Sequence, residues 1–106
     1  MTEAQLQRKI VKRLKLRSDV IWAARTPSMR IRYKIGEAGQ PDITCVLKDG
    51  DMIYLLFLEV KLKGKERLRY EQRRFFEAME IQPKTLCEVI TDVKQLNRII
   101  GEAKTR

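Results

Sequence analysis

Near the start of the chain Leu6, Ile10 and Leu14 recur at four-residue spacing with Val11 beside them, the period of a helix with one buried face. The spacing predicts a helix over residues 2–16. Thr2 is placed to serve as N-cap, and Glu3 falls in the first turn, where a negative charge meets the positive end of the helix dipole. The other faces carry Arg8, Lys9, Lys12, Arg13, Lys15 and Arg17. Residues 20–24 form a short apolar run that predicts a buried strand, and Thr26-Pro27-Ser28 predicts a break. Ile31, Tyr33 and Ile35 then alternate with Arg30, Arg32 and Lys34, the two-residue period of a strand with one apolar and one basic face. A loop with two glycines follows at 36–40, and Pro41 opens the next element, where a missing N–H is tolerated.

Residues 43–47 read as a strand, and Lys48-Asp49-Gly50-Asp51 is a hairpin signal. The run 52–62 is apolar on both faces until Glu59, as expected of a strand in the middle of a sheet. Gly64 closes it. A helix is predicted over 67–81, with Leu68, Gln72, Phe75 and Met79 on one face, before Pro83 breaks the chain. A last strand over 85–91 leads to Asp92, placed to cap a terminal helix through about Lys104. This order predicts a single α/β domain spanning 1–106, a mixed sheet flanked by helices.

Composition narrows the chemistry. At 106 residues with 43% hydrophobic content, the chain has the material for one modest core. No apolar run reaches membrane-spanning length, and the N-terminus lacks the apolar stretch of a signal peptide, so a cytoplasmic location is expected. Cys45 and Cys87 each lie inside an apolar run and are expected to be buried thiols. There is no histidine, which removes Ser-His-Asp hydrolases, histidine-metal nucleases and His/Cys zinc sites. Lysine and arginine number 23 against 14 acids, a net charge of +9, which points to a polyanionic partner. Nucleic acid fits better than a membrane, because no helix joins a broad apolar face to a basic one.

Against this background two ionisable residues stand out. Glu59 and Lys61 sit near the end of a run that should be buried, where charge is costly unless paired or bound to metal. Being two apart they share a face. If Asp49-Gly50 forms a two-residue turn, Lys48 pairs with Asp51 and Asp42 with Phe57, and Glu59 lies one diagonal step from Asp42 on the same face, ~7–8 Å between α-carbons. Any even-length loop keeps that parity. Two such carboxylates suit Mg²⁺ or Mn²⁺. Such an ion would acidify a water and neutralise a scissile phosphate, with Lys61 orienting the water or stabilising charge in the transition state. The competing reading is a Glu59–Lys61 ion pair at a strand end, with Asp42 as a turn residue. Gln72, a polar side chain in an apolar stripe, needs a partner, either at this site or in nearby backbone. Glu3 lines up with Gln7, Ile10 and Leu14, so it either points inward or serves the helix dipole.

Gly39-Gln40-Pro41-Asp42, Glu59-Val60-Lys61 and Glu71-Gln72 together resemble the VRR-NUC family of the PD-(D/E)XK nuclease superfamily, in particular its stand-alone phage and bacterial members. The resemblance runs from Glu3 to about Thr91. It implies a restriction-endonuclease-like core and Mg²⁺- or Mn²⁺-dependent hydrolysis of DNA phosphodiesters. By matching position, Asp42 and Glu59 would be metal ligands, helped by the Val60 carbonyl. Lys61 would be the catalytic lysine, Gln72 the helix glutamine near the site and Glu3 the acidic residue of the first helix. Tyr70 departs from the pattern, which has a smaller polar residue or proline there. Stand-alone proteins of this kind look like dimeric Holliday-junction resolvases, which implies a homodimer acting on branched DNA; two coordinated cuts fit a two-fold dimer. Leu96, Ile99 and Ile100 of the last helix are expected either in the core or against a partner. Arg30, Arg32 and Lys34, with Lys63, Lys65, Arg67, Arg69, Arg73 and Arg74, flank the site in sequence and are expected to contact phosphates. No base-reading motif is present, so recognition of DNA shape is expected. A non-catalytic nucleic-acid-binding domain and an RNA-directed protein are the alternatives.

Overall fold

The computed structural model describes residues 1–26 and 39–106. The strand expected at 31–35, with its basic residues Arg30, Arg32 and Lys34, lies outside the described residues, as do Pro27 and Ser28 of the expected break.

Helix α1 spans Glu3–Lys15. It begins in a capping box: the Thr2 hydroxyl accepts from the Gln5 N–H at 3.1 Å, and Gln5 Oε1 accepts from the Thr2 N–H at 2.8 Å. Two of the donors that a helix start leaves free are thereby satisfied. The four-residue period does what it predicts, burying Leu6, Ile10, Val11 and Leu14.

Strands β1 (Val20–Arg25), β2 (Ile43–Asp49), β3 (Met52–Val60) and β4 (Thr85–Ile90) form one sheet in the order β1-β2-β3-β4. The first three are antiparallel and β4 runs parallel to β3. A parallel pair needs a crossover, and α2 (Tyr70–Glu80) supplies it. Asp92 accepts from the Lys94 N–H at 2.9 Å, starting a 3-10 turn, Val93–Gln95, that continues into α3 (Leu96–Ala103).

The two-residue strand period sorts side chains onto two faces. Ile43, Cys45, Leu47, Leu56, Leu58, Val60, Leu86 and Ile90 share one core with the buried residues of α1 and α3. Leu96, Ile99 and Ile100 are part of that core, at 2%, 0% and 1% exposure, so they fill the fold. The other face carries Phe57 and Glu59 and is covered by α2, whose Phe75 meets Phe57 edge to face at 5.1 Å between centroids. Among the described residues the result is a mixed α/β fold of four strands and three α-helices. Both cysteines are free and buried, and burial pushes each thiol up to about 12.

Three differences from the sequence expectation bear on the site. The hairpin turns at Gly50-Asp51, with Asp49 paired to Met52, not at Asp49-Gly50. Gly50 has φ +59° while Asp51 does not take positive φ, so the only left-handed residue of the turn is the glycine, as in type II′ turns; the expected placement asks Asp49 to adopt that conformation. The register therefore moves by two, and parity survives. Strand β3 ends at Val60 instead of Leu62, although the Lys61 N–H still donates to the Ile90 carbonyl at 3.1 Å. Helix α2 starts at Tyr70, not residue 67, because the Gln72 side chain takes the Arg69 N–H at 2.8 Å and Arg73 N–H makes the first helical bond to Arg69 at 3.0 Å.

A polar cluster ties the two helices on the core face together. Asp19 accepts from Arg17 Nε at 2.9 Å and from Lys104 Nζ at 2.7 Å, and Arg17 also donates to Asn97 at 2.6 Å. The hydrogen bond from Arg17, with a smaller contribution from Lys104, holds the Asp19 carboxyl well below the usual carboxylate range.

Candidate active site

Three segments converge at the end of the sheet: the approach to β2, the end of β3 and the first turn of α2. Gly39 has φ +89°, and a Cβ there would lie 2.3 Å from the Glu71 carbonyl oxygen. Only a glycine lets the 39–42 loop press this closely on the start of α2. The loop is anchored on its other side by β1, where the Thr26 N–H donates to the Asp42 carbonyl at 2.8 Å and the Thr26 hydroxyl donates to the Pro41 carbonyl.

These anchors place the Asp42 side chain. With Ile43 paired to Leu58, Asp42 stands opposite Glu59, a direct neighbour instead of the diagonal one expected from the sequence. Asp42 Oδ2 accepts from the Val60 N–H at 2.8 Å. Glu59, on the same face, is 3% exposed. Its Oε1 accepts from Gln72 Nε2 at 2.7 Å and lies 3.9 Å from Lys61 Nζ. Its Oε2 is buried without a hydrogen-bond partner. Burial pushes the Glu59 carboxyl well above the usual carboxylate range, and the adjacent Asp42 carboxylate pushes it further; Lys61 and Arg69 pull in the opposite direction.

Gln72 joins these groups. It is buried in α2, and its Oε1 accepts from the Arg69 N–H and from Lys61 Nζ at 3.2 Å while its Nε2 serves Glu59. The partner that a polar residue in an apolar stripe requires is therefore this site. A simple ion pair does not describe Glu59 and Lys61: Lys61 is nearer to Gln72 than to Glu59, and the second carboxylate oxygen is buried without a donor.

The structure thus brings together Asp42, Glu59, Val60, Lys61 and Gln72. Glu3 lies half-buried in the first turn of α1; among the described residues no group of three or more His, Cys, Asp or Glu side chains is arranged to hold a metal. Gln7, one turn further along α1, instead accepts from Arg25 Nε at 3.0 Å. Lys63, Lys65, Arg67, Arg69, Arg73 and Arg74 are exposed on the loop after β3 and on α2, with Arg74 folded over the Tyr70 ring at 5.8 Å. Arg30, Arg32 and Lys34 lie outside the described residues. The only sequence signal for this role of Gly39 is its place two residues before a proline-acid pair.

No helix among the described residues is long and apolar enough to cross a membrane. Comparison with models of protein families, with curated proteins and with solved structures found no match.

Proposed function

We propose that this chain is a Mg²⁺- or Mn²⁺-dependent DNA endonuclease with a PD-(D/E)XK core, as its resemblance to the VRR-NUC family implies. The observation that carries the reading is Glu59 Oε2, a buried carboxylate oxygen without a donor, set beside a second carboxylate. Such an arrangement is relieved by a proton on one carboxyl or by a cation between the two, and a divalent ion can take the proton's place. The donor set is all oxygen, which suits a hard divalent ion. Asp42 and Glu59 would hold it, with the Val60 carbonyl as a third donor.

A divalent cation bound there supplies charge neutralisation at the scissile phosphate and a more acidic water. The remaining work falls to the chain itself. The Val60 N–H orients Asp42, and Gln72 Nε2 orients Glu59. Gln72 Oε1 holds Lys61 Nζ beside the carboxylates, where its positive charge meets the negative charge that builds on the phosphate during attack. Lys63, Lys65, Arg69 and Arg73 contact the flanking phosphates and set the register of the strand. A branched substrate cut on two strands asks for a two-fold homodimer, each copy bringing one centre.

The test is a panel of labelled junction, flap, duplex and single-stranded DNA, with matching RNA, incubated with and without Mg²⁺ or Mn²⁺. Metal-dependent cleavage by the wild type, abolished in Asp42→Asn, is expected. Binding across the panel with no cleavage under either metal would favour a non-catalytic nucleic-acid-binding domain, which the net charge of +9 alone would support. Cleavage confined to RNA would move the substrate class.

A further inference from the structure

The chain has one tryptophan, and the fold leaves it in the open. Trp22 is 54% exposed, and Ile21 beside it 52%. The direction of the ring follows from the register. Ala23 pairs with Cys45, and both are buried in the core under α1. Trp22, paired with Val46, and Ala24, paired with Thr44, therefore project from the opposite face. That is the face of Phe57, Glu59 and Asp42. Val46 of β2 and Asp42, the residue just before that strand, are four residues apart, about 13 Å at ~3.3 Å per residue. Helix α2 packs on β4 and, through Phe75, on Phe57 of β3. Trp22 stands on the β1 side of the same face, at the sheet's edge among the described residues.

Three further features bear on what this edge of the sheet could bind. The β1–β2 register breaks between Val20 and Trp22, and such an irregularity discourages strand-to-strand pairing at an edge. Lys15, exposed at the end of α1, lines a cleft with Val20, Ile21, Trp22 and Ala23. The chain carries +9. A second copy docking here would bring the same charge; a nucleic acid brings the opposite one. An exposed flat aromatic ring on a basic protein suits nucleobases, since every base has a face to stack.

We propose that Trp22 is a stacking platform for an unpaired nucleobase of a DNA strand that continues across the sheet face to Asp42, Glu59 and Lys61, with Lys15 contacting a phosphate at the rim of the cleft. A base inside a duplex has no free face, so this platform selects substrates with a single-stranded segment near the cut, such as a flap, fork or gap. The proposal rests on the reading of the protein as a DNA-cleaving enzyme, and its test is separable from that reading.

Because Trp22 is the only tryptophan, intrinsic fluorescence reports on it directly. The full chain is titrated with a labelled oligothymidylate in EDTA, following tryptophan emission and oligonucleotide anisotropy together. Saturable quenching that parallels anisotropy is expected, with no quenching by inorganic polyphosphate, a polyanion without bases. Trp22→Ala should weaken single-strand binding about tenfold to a hundredfold, Trp22→Phe should restore most of it, and affinity for blunt duplex should not change. Circular dichroism of both variants checks that they fold. Oligonucleotide binding without a change in emission, or Trp22→Ala binding as the wild type does, overturns the proposal. So does emission that tracks protein concentration instead of DNA, with a dimer lost in Trp22→Ala, because a second copy then covers the ring. Quenching without metal-dependent cleavage defeats the nuclease reading and leaves the platform standing. Cleavage without quenching does the reverse, and failure to bind any nucleic acid defeats both.

Discussion

Gln72 Nε2 donates to Glu59 Oε1 at 2.7 Å, a buried hydrogen bond between the first turn of α2 and the end of β3. It determines which way the Glu59 carboxylate points. With Oε1 taken by Gln72, Oε2 is the atom left without a donor. The amide is itself fixed, since its oxygen accepts from Arg69 N–H and Lys61 Nζ. One side chain thus orients both a carboxylate and a lysine.

Facing carboxylates predict the response to metal. Mn²⁺ or Mg²⁺ should raise the melting temperature of the wild type, by the equivalent of about 2.7 kcal/mol at a hundred times the dissociation constant. Asp42→Asn should lose that response. In chelator the same variant should be at least as stable as the wild type, because it removes like-charge repulsion while an asparagine oxygen still accepts from the Val60 N–H. Thermal denaturation of both proteins with and without metal provides the check; an equal metal-induced shift in Asp42→Asn would place the ion elsewhere.

Lys61→Ala should lower the cleavage rate about a hundredfold to a thousandfold, the usual cost of one preorganised group that acts on transition-state charge. DNA affinity should hardly move, because the summed charge of many cations governs it. Metal-induced stabilisation should persist, which separates this variant from Asp42→Asn. Single-turnover cleavage, anisotropy and thermal shift together read the three quantities. A wild-type rate in Lys61→Ala would return Glu59 and Lys61 to a structural role.

Gly39→Ala should destabilise the protein more than Gly64→Ala does. Both glycines have φ near +90°, but a Cβ at Gly39 meets the Glu71 carbonyl at 2.3 Å while one at Gly64 meets nothing within 4 Å. Gly64→Ala therefore carries backbone strain of about 1 kcal/mol, and Gly39→Ala carries that strain plus a displacement of the loop or of the start of α2. Urea denaturation measures the difference. Mn²⁺ affinity should fall only for Gly39→Ala, since Gln72 moves with that turn.

Asp19 predicts a pH dependence away from the site. Its folded pKa is lowered, first by the hydrogen bond from Arg17, below an unfolded value of about 3.9. The ionised carboxylate therefore adds stability above about pH 4, and this is lost as the pH falls through the folded value. Asp19→Asn should be less stable at neutral pH and should show a shallower loss between about pH 4 and pH 2. The side chains are partly solvated, so screening holds the effect to about 1 kcal/mol or less. Chemical denaturation at a series of pH values tests it; parallel curves for the two proteins would mean the cluster contributes nothing through charge.

The elements were legible because their signals are local. Leu6, Ile10 and Leu14 announce a buried helix face by spacing alone, and Thr2 and Asp92 cap where their short polar side chains allow. The shared face of Asp42 and Glu59 was also legible, since strand parity survives any even shift of the hairpin. The register itself was not. Whether the turn sits at Asp49-Gly50 or Gly50-Asp51 depends on which residue must take positive φ, and that depends on how two whole strands pack. Only the tertiary structure makes Asp42 a direct neighbour of Glu59, leaves Glu59 Oε2 without a donor and turns Gln72 from an odd polar residue into the link between Glu59 and Lys61. Trp22 follows the same rule. Its sequence context predicts a buried strand, and it is the register against Val46, set by burial of Ala23 on Cys45, that turns the ring outward onto the face of the site. Spacing determines which face of an element a residue occupies; burial and partners are decided by elements far away in the chain, and a single-chain pattern carries no information about those distances.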